Sequence, residues 1–301
     1  TGVQTCALPI FNIMEKFVQR AKTLIEALPY IKKFNSKTIV FKYGGSIGSK
    51  DFSNFARDIV LMKLVGINPV IVHGGGAEIS KVLKSLKIES NFIDGLRVTC
   101  PKTMEVVEMV LGGKVNKEIV SKIIMNGGKS VGISGKDGGF LRVKKVKASK
   151  KSQDLGRVGE ITKVDIKLIT ELQDNGYIPV VAPIGSDNKG VSYNINADHA
   201  ASKIASSLKA EKLIILTDVP GIQDEKRKLI SSITKKTANS LIRKGVIAKG
   251  MVPKVKCLVQ ALMDGVNKAH IIDGRIPHAV ILETFTDSGI GTEILLWGSS
   301  E

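Results

Sequence analysis

Apolar residues along the chain switch between two periods, and the switching lays out the elements. Near-continuous β-branched runs occur at 37–43, 69–73, 130–134, 178–182, 212–217 and 268–273, the pattern of strands buried on both faces. Between them, apolar residues recur every three or four positions and predict helices at 52–66, 77–86, 102–125, 165–175, 197–208, 234–244 and 252–265. A hairpin fits 91–99, further strands fit 157–162 and 191–194, and the apolar stretch 139–147 runs into a polar, exposed loop at 148–156. The chain closes with apolar segments at 278–285 and 292–297. Strands alternating with helices predict an α/β fold with a mainly parallel sheet covered on both faces. Two lobes sharing one sheet are expected, 36–190 and 191–301, with the division near 183–195.

Ahead of the first strand, Phe17, Ala21, Leu24, Ile25, Leu28 and Ile31 share one helical face, with Lys and Glu opposite. Residues 14–35 therefore read as an extra N-terminal helix, which Pro29 should kink or break near Leu28. Residues 1–13 show no such period, precede Met14 and read as a non-native leader.

Two strands run straight into glycine clusters, Thr38 to Gly45 and Pro69 to Gly76. Adjacent glycines let the backbone approach a ligand closely, and the helix that follows presents unpaired N–H groups and a partial positive charge. Two such turns, one with Lys42 on its strand, point to two anionic groups held close together. Neither is GxxxxGK[ST] or GxGxxG, so the P-loop and dinucleotide readings are weak.

Composition narrows the setting. At 43% hydrophobic, the chain of 301 residues has enough apolar material for a substantial core. No apolar run approaches the roughly 18–20 residues of a membrane span. Cys6, Cys100 and Cys257 lack metal-site spacing, which argues against a zinc site or disulfide framework and fits a reducing cytoplasm. The net charge of +17 reads mainly as lysine bias. With aromatics at 5% and no Arg-rich strip, nucleic-acid binding has little support.

The motifs KYGG (42–45), VIVHGGG (70–76), DGLRVT (94–99), GKVNKEIV (113–120), GISGKDGG (132–139) and NINAD (194–198), in this order, resemble the amino acid kinase family, and within it the acetylglutamate kinases. The resemblance runs from about residue 20 to the end. It implies a three-layer αβα sandwich, an N-terminal helix, and phosphoryl transfer from ATP with Mg²⁺ to the side-chain carboxylate of N-acetyl-L-glutamate in arginine biosynthesis. A carboxylate is a poor nucleophile meeting an already anionic triphosphate, so positioning and charge neutralisation must carry the rate.

By resemblance, Lys42, Asp198, Lys254 and Gly45 are catalytic. Gly75, Gly76, Arg97 and Asn194 bind the acceptor, and Lys42, Gly44, Asp218, Gly221, Gly250 and Lys254 bind the nucleotide. No protein metal cage is implied; Mg²⁺ rides on the phosphates. The stretch 27–31 resembles the helix of arginine-inhibited hexamers (trimers of dimers), which implies L-arginine as effector at Tyr30, His278, Glu283 and Gly289. A PII-type signalling partner is open. His73, His199 and His270 are read as packed or exposed without chemistry, and Lys136-Asp137 as a turn with a hydrogen-bonded acid.

The chain departs from the pattern at Lys249, where relatives tend to have glycine, and at Gly112-Gly113, which should loosen its helix. Two alternatives stay open: another family member acting on carbamate, aspartate, a nucleotide or carrier-bound aminoadipate, or a non-catalytic amino-acid sensor. Arg97 with Asn194 weighs against the first, and intact Lys42, Asp198 and Lys254 against the second.

Overall fold

The computed structural model describes residues 8–44, 49–146, 154–287 and 289–297. Helix α1 (Leu8–Phe34) leads into strand β1 (Thr38–Tyr43), helix α2 (Ser49–Leu64), β2 (Asn68–His73) and α3 (Gly76–Ser85). The hairpin β3 (Phe92–Ile93) and β4 (Leu96–Arg97) precedes α4 (Pro101–Glu108), a π-helical turn (Met109–Val115) and α5 (Asn116–Met125). Next come β5 (Ser130–Ser134), β6 (Leu141–Lys145), β7 (Gly159–Val164), α6 (Lys167–Asp174), β8 (Ile178–Ala182), β9 (Ile184–Ser186) and β10 (Ser192–Asn194). The second half holds α7 (Ala197–Ser207), β11 (Lys212–Thr217), β12 (Ser232–Thr234), α8 (Lys235–Arg243), α9 (Met251–Met263), β13 (Lys268–Asp273), α10 (Ala279–Thr284) and β14 (Thr292–Leu295).

Eight strands form the main sheet in the order β12-β14-β13-β11-β1-β2-β8-β5. Its pairs are parallel except β13 with β14. The first half of the chain supplies β1, β2, β8 and β5 and the second half the other four, so the halves join where β1 pairs β11.

Strand alternation sorts the core into two layers. Val40, Val70, Val72, Leu213, Ile215 and Ile271 face α7 and α9, where Ala200, Ala201, Ile204, Val255, Leu258 and Ala261 meet them. Ile39, Phe41, Ile71, Ile214 and Ile272 face α2, α5 and α10. This is the expected three-layer sandwich. The alanines of α7 let that helix lie close to β1, which later matters for Asp198.

Several expectations are corrected. The sheet is not the only one: β6, β7, β9 and β10 leave it for a separate four-stranded sheet, order β10-β9-β6-β7. The helix read at 102–125 is interrupted by the π-helical turn that contains Gly112 and Gly113, the residues expected to loosen it. Helix α1 starts at Leu8, ahead of Met14, and continues through Pro29 instead of breaking at Leu28. A proline there removes only the bond its N–H would give to Ile25, and Tyr30, Ile31 and Phe34 beyond it pack onto the sandwich. The earlier part of α1 stands off the body, with Phe17, Leu24 and Ile25 exposed. Most of the polar loop at 148–156 and the start of the leader lie outside the described residues.

Candidate active site

The carboxyl ends of the parallel strands collect the chemistry, as open α/β sheets do. Lys42 is the fifth residue of β1, and strand parity gives it the same face as Val40, under α7 and α9. Asn196 caps α7: its side-chain Oδ1 accepts from the N–H of Asp198 at 2.9 Å and of His199 at 3.1 Å. Asp198 is thereby fixed in the first turn. Lys254 comes from the first turn of α9, where Pro253 is tolerated because no intrahelical bond is lost.

These elements bring the three ions together. Lys254 donates to Asp198 Oδ2 at 2.8 Å, and Lys42 Nζ lies 2.8 Å from Oδ1. The Lys42 contact is a buried, charge-assisted ion pair. Asp198 and Lys42 are only 6% and 7% exposed. Burial pushes the Asp198 carboxyl upward, but the two ammonium groups outweigh it and hold the acid below its ordinary range. Burial, helped by the Lys254 charge, draws the Lys42 ammonium down against the pull of Asp198. Cys257, one turn beyond Lys254, is no nucleophile: burial pushes its thiol up to about 11.

Beside the cluster lies a cleft of about 180 Å³ bounded by Gly74, Gly75, Gly76, Arg97, Asn194 and Asn196, among others. A Cβ on Gly75 would stand 2.5 Å from Leu111 Cδ2 of the π-helical turn, so a larger residue there must displace that side chain. No side chain caps the start of α3, so its first N–H groups are left for a ligand. The Arg97 guanidinium is buried over the Phe92 ring, 4.5 Å from its centroid. It donates to Gly76 O and Ser80 Oγ, each at 2.8 Å, and to Ser90 Oγ. Asn194 reaches the same cleft from β10.

A buried acid clamping two lysines next to a glycine-floored, arginine-lined cleft suits anion-to-anion transfer. The relatives agree. Residues 37–273 match the Amino acid kinase family.

This chain belongs to the amino acid kinase family.

Within the family it is a kinase that stands with the acetylglutamate kinases. It is 53% identical to that of Geotalea uraniireducens over 94% of this chain and all of the relative, and 54% identical to that of Heliobacterium modesticaldum with the same coverage. Among solved structures, N-acetylglutamate synthase from Neisseria gonorrhoeae, complexed with coenzyme A and N-acetyl-glutamate, superposes with a TM-score of 0.83 at 26% identity. That match covers 92% of this chain but 64% of the synthase chain. The same synthase complexed with L-arginine gives a TM-score of 0.80 at 25% identity, covering 91% of this chain and 65% of that one. Giardia carbamate kinase, at 19% identity and a TM-score of 0.61, shares the fold, covering 87% of this chain and 99% of that one.

The other family-type positions are placed as follows. Gly44 is buried at the end of β1, and Gly45 lies outside the described residues. Asp218 is exposed past β11, accepting from the Thr217 hydroxyl at 3.3 Å. Gly221 has φ 144°, and a Cβ would stand 2.7 Å from both Leu229 Cδ1 and Thr292 Oγ1. Gly250 is exposed ahead of α9. None of these three hydrogen-bonds to the ionic cluster. Lys249 takes the left-handed conformation, φ 46°, so the loop keeps a glycine-type backbone with a lysine on it.

A second cleft, of about 250 Å³, gathers Tyr30, Glu283 and Gly289. Tyr30 donates to Asp287. Glu283 is 2.6 Å from His270 Nδ1, and its Oε2 accepts from the N–H groups of Ile290 at 2.7 Å and Gly291 at 3.2 Å. Burial raises this acid, but His270 and the backbone donors win and hold it below the usual range. His278 is not in this cleft. It stands at the other end of α10, roughly 7 Å along the axis at 1.5 Å per residue, and pairs with the buried Asp58 of α2 at 2.6 Å. His270, read from the sequence as without chemistry, and Lys212, which that reading did not single out, do line the cleft. Their signal was an ionisable residue inside an otherwise apolar strand.

Proposed function

We propose that the chain transfers the γ-phosphoryl group of ATP to the side-chain carboxylate of N-acetyl-L-glutamate, giving N-acetyl-L-glutamyl 5-phosphate. The observation that carries this is the pair of 2.8 Å contacts from Lys42 and Lys254 to one buried carboxylate, whose chain neighbour Ala197 lines the glycine-floored cleft. Lys42 stabilises charge on the moving phosphoryl group, and Lys254 holds the nucleotide phosphates. Asp198 keeps both ammonium groups charged and in place without acting as a base. Backbone N–H groups of Gly44 and Gly75 serve the developing charge, with the family-type Gly45 assigned the same role. Arg97 exchanges its serine partners for the α-carboxylate, a bidentate pair, while Gly76 and Asn194 hold the rest of the acceptor.

Mg²⁺, when bound with ATP, neutralises phosphate charge. The donor set fits a metal carried on the nucleotide: Asp198 is committed to two cations, and among the described residues no group of three or more His, Cys, Asp or Glu forms a cage. Asp218, Gly221 and Gly250 then frame the base and sugar end of ATP.

The second cleft takes L-arginine as feedback inhibitor. Tyr30 of α1 with Glu283, Asp287 and Gly289 at and beyond the end of α10 put two acids and an aromatic hydroxyl, groups that suit a guanidinium ion, on one side of the cleft. The exposed stripe of Phe17, Leu24 and Ile25 suits pairing with another dimer's helix in a hexamer. The working location is the cytoplasm, and a PII-type protein is a candidate partner.

ADP release with N-acetylglutamate, glutamate, aspartate and carbamate tests the reading: N-acetylglutamate should be used fastest, and faster use of another acceptor, or no turnover, overturns it. Deleting residues 1–34 should leave an active dimer that ignores arginine; a truncated protein that stays hexameric or arginine-sensitive refutes the effector part.

A further inference from the structure

Thr99 lies beside the acceptor cleft, fully buried, and bonds the Arg97 backbone carbonyl and the Asn194 side chain, two residues assigned to the acceptor. Its backbone N–H donates to Leu155 O at 2.9 Å, and its carbonyl accepts from Arg157 N at 2.6 Å. The backbones are pressed together so closely that a Cβ on Gly156, at φ 70°, would stand 2.3 Å from Thr99 O. Three chain segments, 97–99, 155–158 and 192–194, are thereby held as one unit, because Asn194 N also donates to Arg157 O at 2.9 Å.

The hydroxyl makes the remaining two links. Thr99 Oγ1 is 2.7 Å from Arg97 O and 3.3 Å from Asn194 Nδ2. A hydroxyl has one proton. A carbonyl can only accept, so that proton goes to Arg97 O. Oγ1 must then accept from Asn194, and only the NH₂ end of an amide can donate. The Asn194 amide is therefore turned with Nδ2 toward Thr99 and Oδ1 at the opposite end. Among the described residues Oδ1 takes no hydrogen bond, and Asn194 lines the cleft.

We infer that Thr99 is a positioning residue for acceptor recognition. Its single hydroxyl sets the backbone from which Arg97 projects and turns Asn194 so that a hydrogen-bond acceptor, Oδ1, is offered to an N–H of the acceptor substrate. Thr99 touches no substrate itself. The inference rests on the proposed acceptor site and assigns it a component that lies outside the cleft.

The test compares Thr99→Val, which keeps the shape and removes the hydroxyl, with Thr99→Ser, which keeps the hydroxyl. Thr99→Val should raise KM for N-acetylglutamate about tenfold, which is about 1.4 kcal/mol of binding, with KM for ATP unchanged. Thr99→Ser should restore the acceptor KM to within about twofold, the scale of sub-kcal differences. In an Asn194→Ala background, Thr99→Val should add less to the acceptor KM than it does alone, because half of what it positions is gone. An unchanged acceptor KM in Thr99→Val, equal rises for both substrates, or full additivity with Asn194→Ala overturns the inference. Should Thr99→Val not fold, Thr99→Cys, a weak donor and weak acceptor of similar size, carries the same two outcomes. A wild-type enzyme that does not use N-acetylglutamate fails the proposed function instead, which the same assay reveals before any variant is compared.

Discussion

Asp198→Asn is the sharpest perturbation of the site. Asparagine keeps the volume and one oxygen but removes the only counter-ion that two ammonium groups share. At a separation of 2.8 Å, each ion pair is worth about 6 kcal/mol of gross attraction for an effective dielectric near 20. Much of that offsets the desolvation of three buried ions, so the net effect is smaller. Breaking a buried pair on one side typically costs about 3–5 kcal/mol when the remaining charge cannot escape. Lys42 can escape, by losing its proton. Burial and Lys254 already draw its pKa down, and Asp198 is the largest influence raising it. Without the carboxylate the pKa falls further, and the neutral amine no longer stabilises phosphoryl charge.

Two readouts follow from that reasoning. The variant should lose about 10²–10³-fold in kcat at neutral pH, the scale for losing one preorganised charge. Its alkaline limb should move to lower pH than that of the wild type, because activity needs the Lys42 ammonium. Coupled ADP-release assays across the pH range, with thermal melts to confirm folding, provide both. A folded variant with kcat within about tenfold of wild type, and an alkaline limb that has not moved, would refute the role given to Asp198.

Arg97→Ala should raise KM for the acceptor far more than KM for ATP, by roughly 10–150-fold for a charge-assisted pair of about 1.5–3 kcal/mol; equal effects in steady-state kinetics would make Arg97 structural. His73 is buried, its two ring nitrogens lie 2.8 Å from Gly74 O and 3.2 Å from Asn116 Nδ2, and burial lowers its pKa to about 4. The folded pKa lies below the ordinary 6.5, so this stability is present above pH 6.5 and lost as pH falls toward 4. Up to about 3 kcal/mol is at stake at about 1.4 kcal/mol per pH unit. Asp58, raised to about 6, acts in the opposite sense over part of that window. Urea unfolding at several pH values should show a shallower acid loss in His73→Gln, and an identical slope would contradict the assignment. Lys249→Gly should stabilise by roughly 0.5–1 kcal/mol, since the lysine sits at φ 46° where a side chain is strained and glycine is not; a lower urea midpoint would show that the lysine's contacts outweigh the strain.

The strands of the central sheet read from apolar runs were legible to within one residue, β1 and β2 each differing by one at the start. The runs 130–134, 178–182, 212–217 and 268–273 coincide with β5, β8, β11 and β13, because a continuous apolar run bounded by turns leaves little freedom in its ends. The second sheet was missed, although its signal was present. In β6, Leu141 and Val143 are buried while Arg142 and Lys144 are not, and β7 alternates in the same way. Alternation marks a strand with one wet face, which does not suit the middle of a sheet covered on both sides. The meeting of Lys42, Asp198 and Lys254 was legible through motif order. The second cleft was legible only in part: Tyr30, Glu283 and Gly289 meet, but His270 stands there and His278 does not. Distance along the sequence cannot distinguish the two ends of a six-residue helix from the neighbouring strand, and only the pairing of β13 carries His270 to Glu283.

The ionic cluster also says why these three residues had to come from three elements. Lys42 belongs to the half of the chain that supplies β1, β2, β8 and β5, and Lys254 to the half that supplies the other four strands. Asp198 sits on α7, which packs against both β1 and α9. One carboxylate thus ties the first half to the second across the β1–β11 seam, at the place where the phosphates are proposed to lie. A nucleotide that draws Lys254 toward its own charge must weaken that tie, while Lys42, held by the central strand, stays in place. Under the proposed function, the strand lysine is the reference for the moving phosphoryl group, and the helix lysine is the one drawn toward the nucleotide.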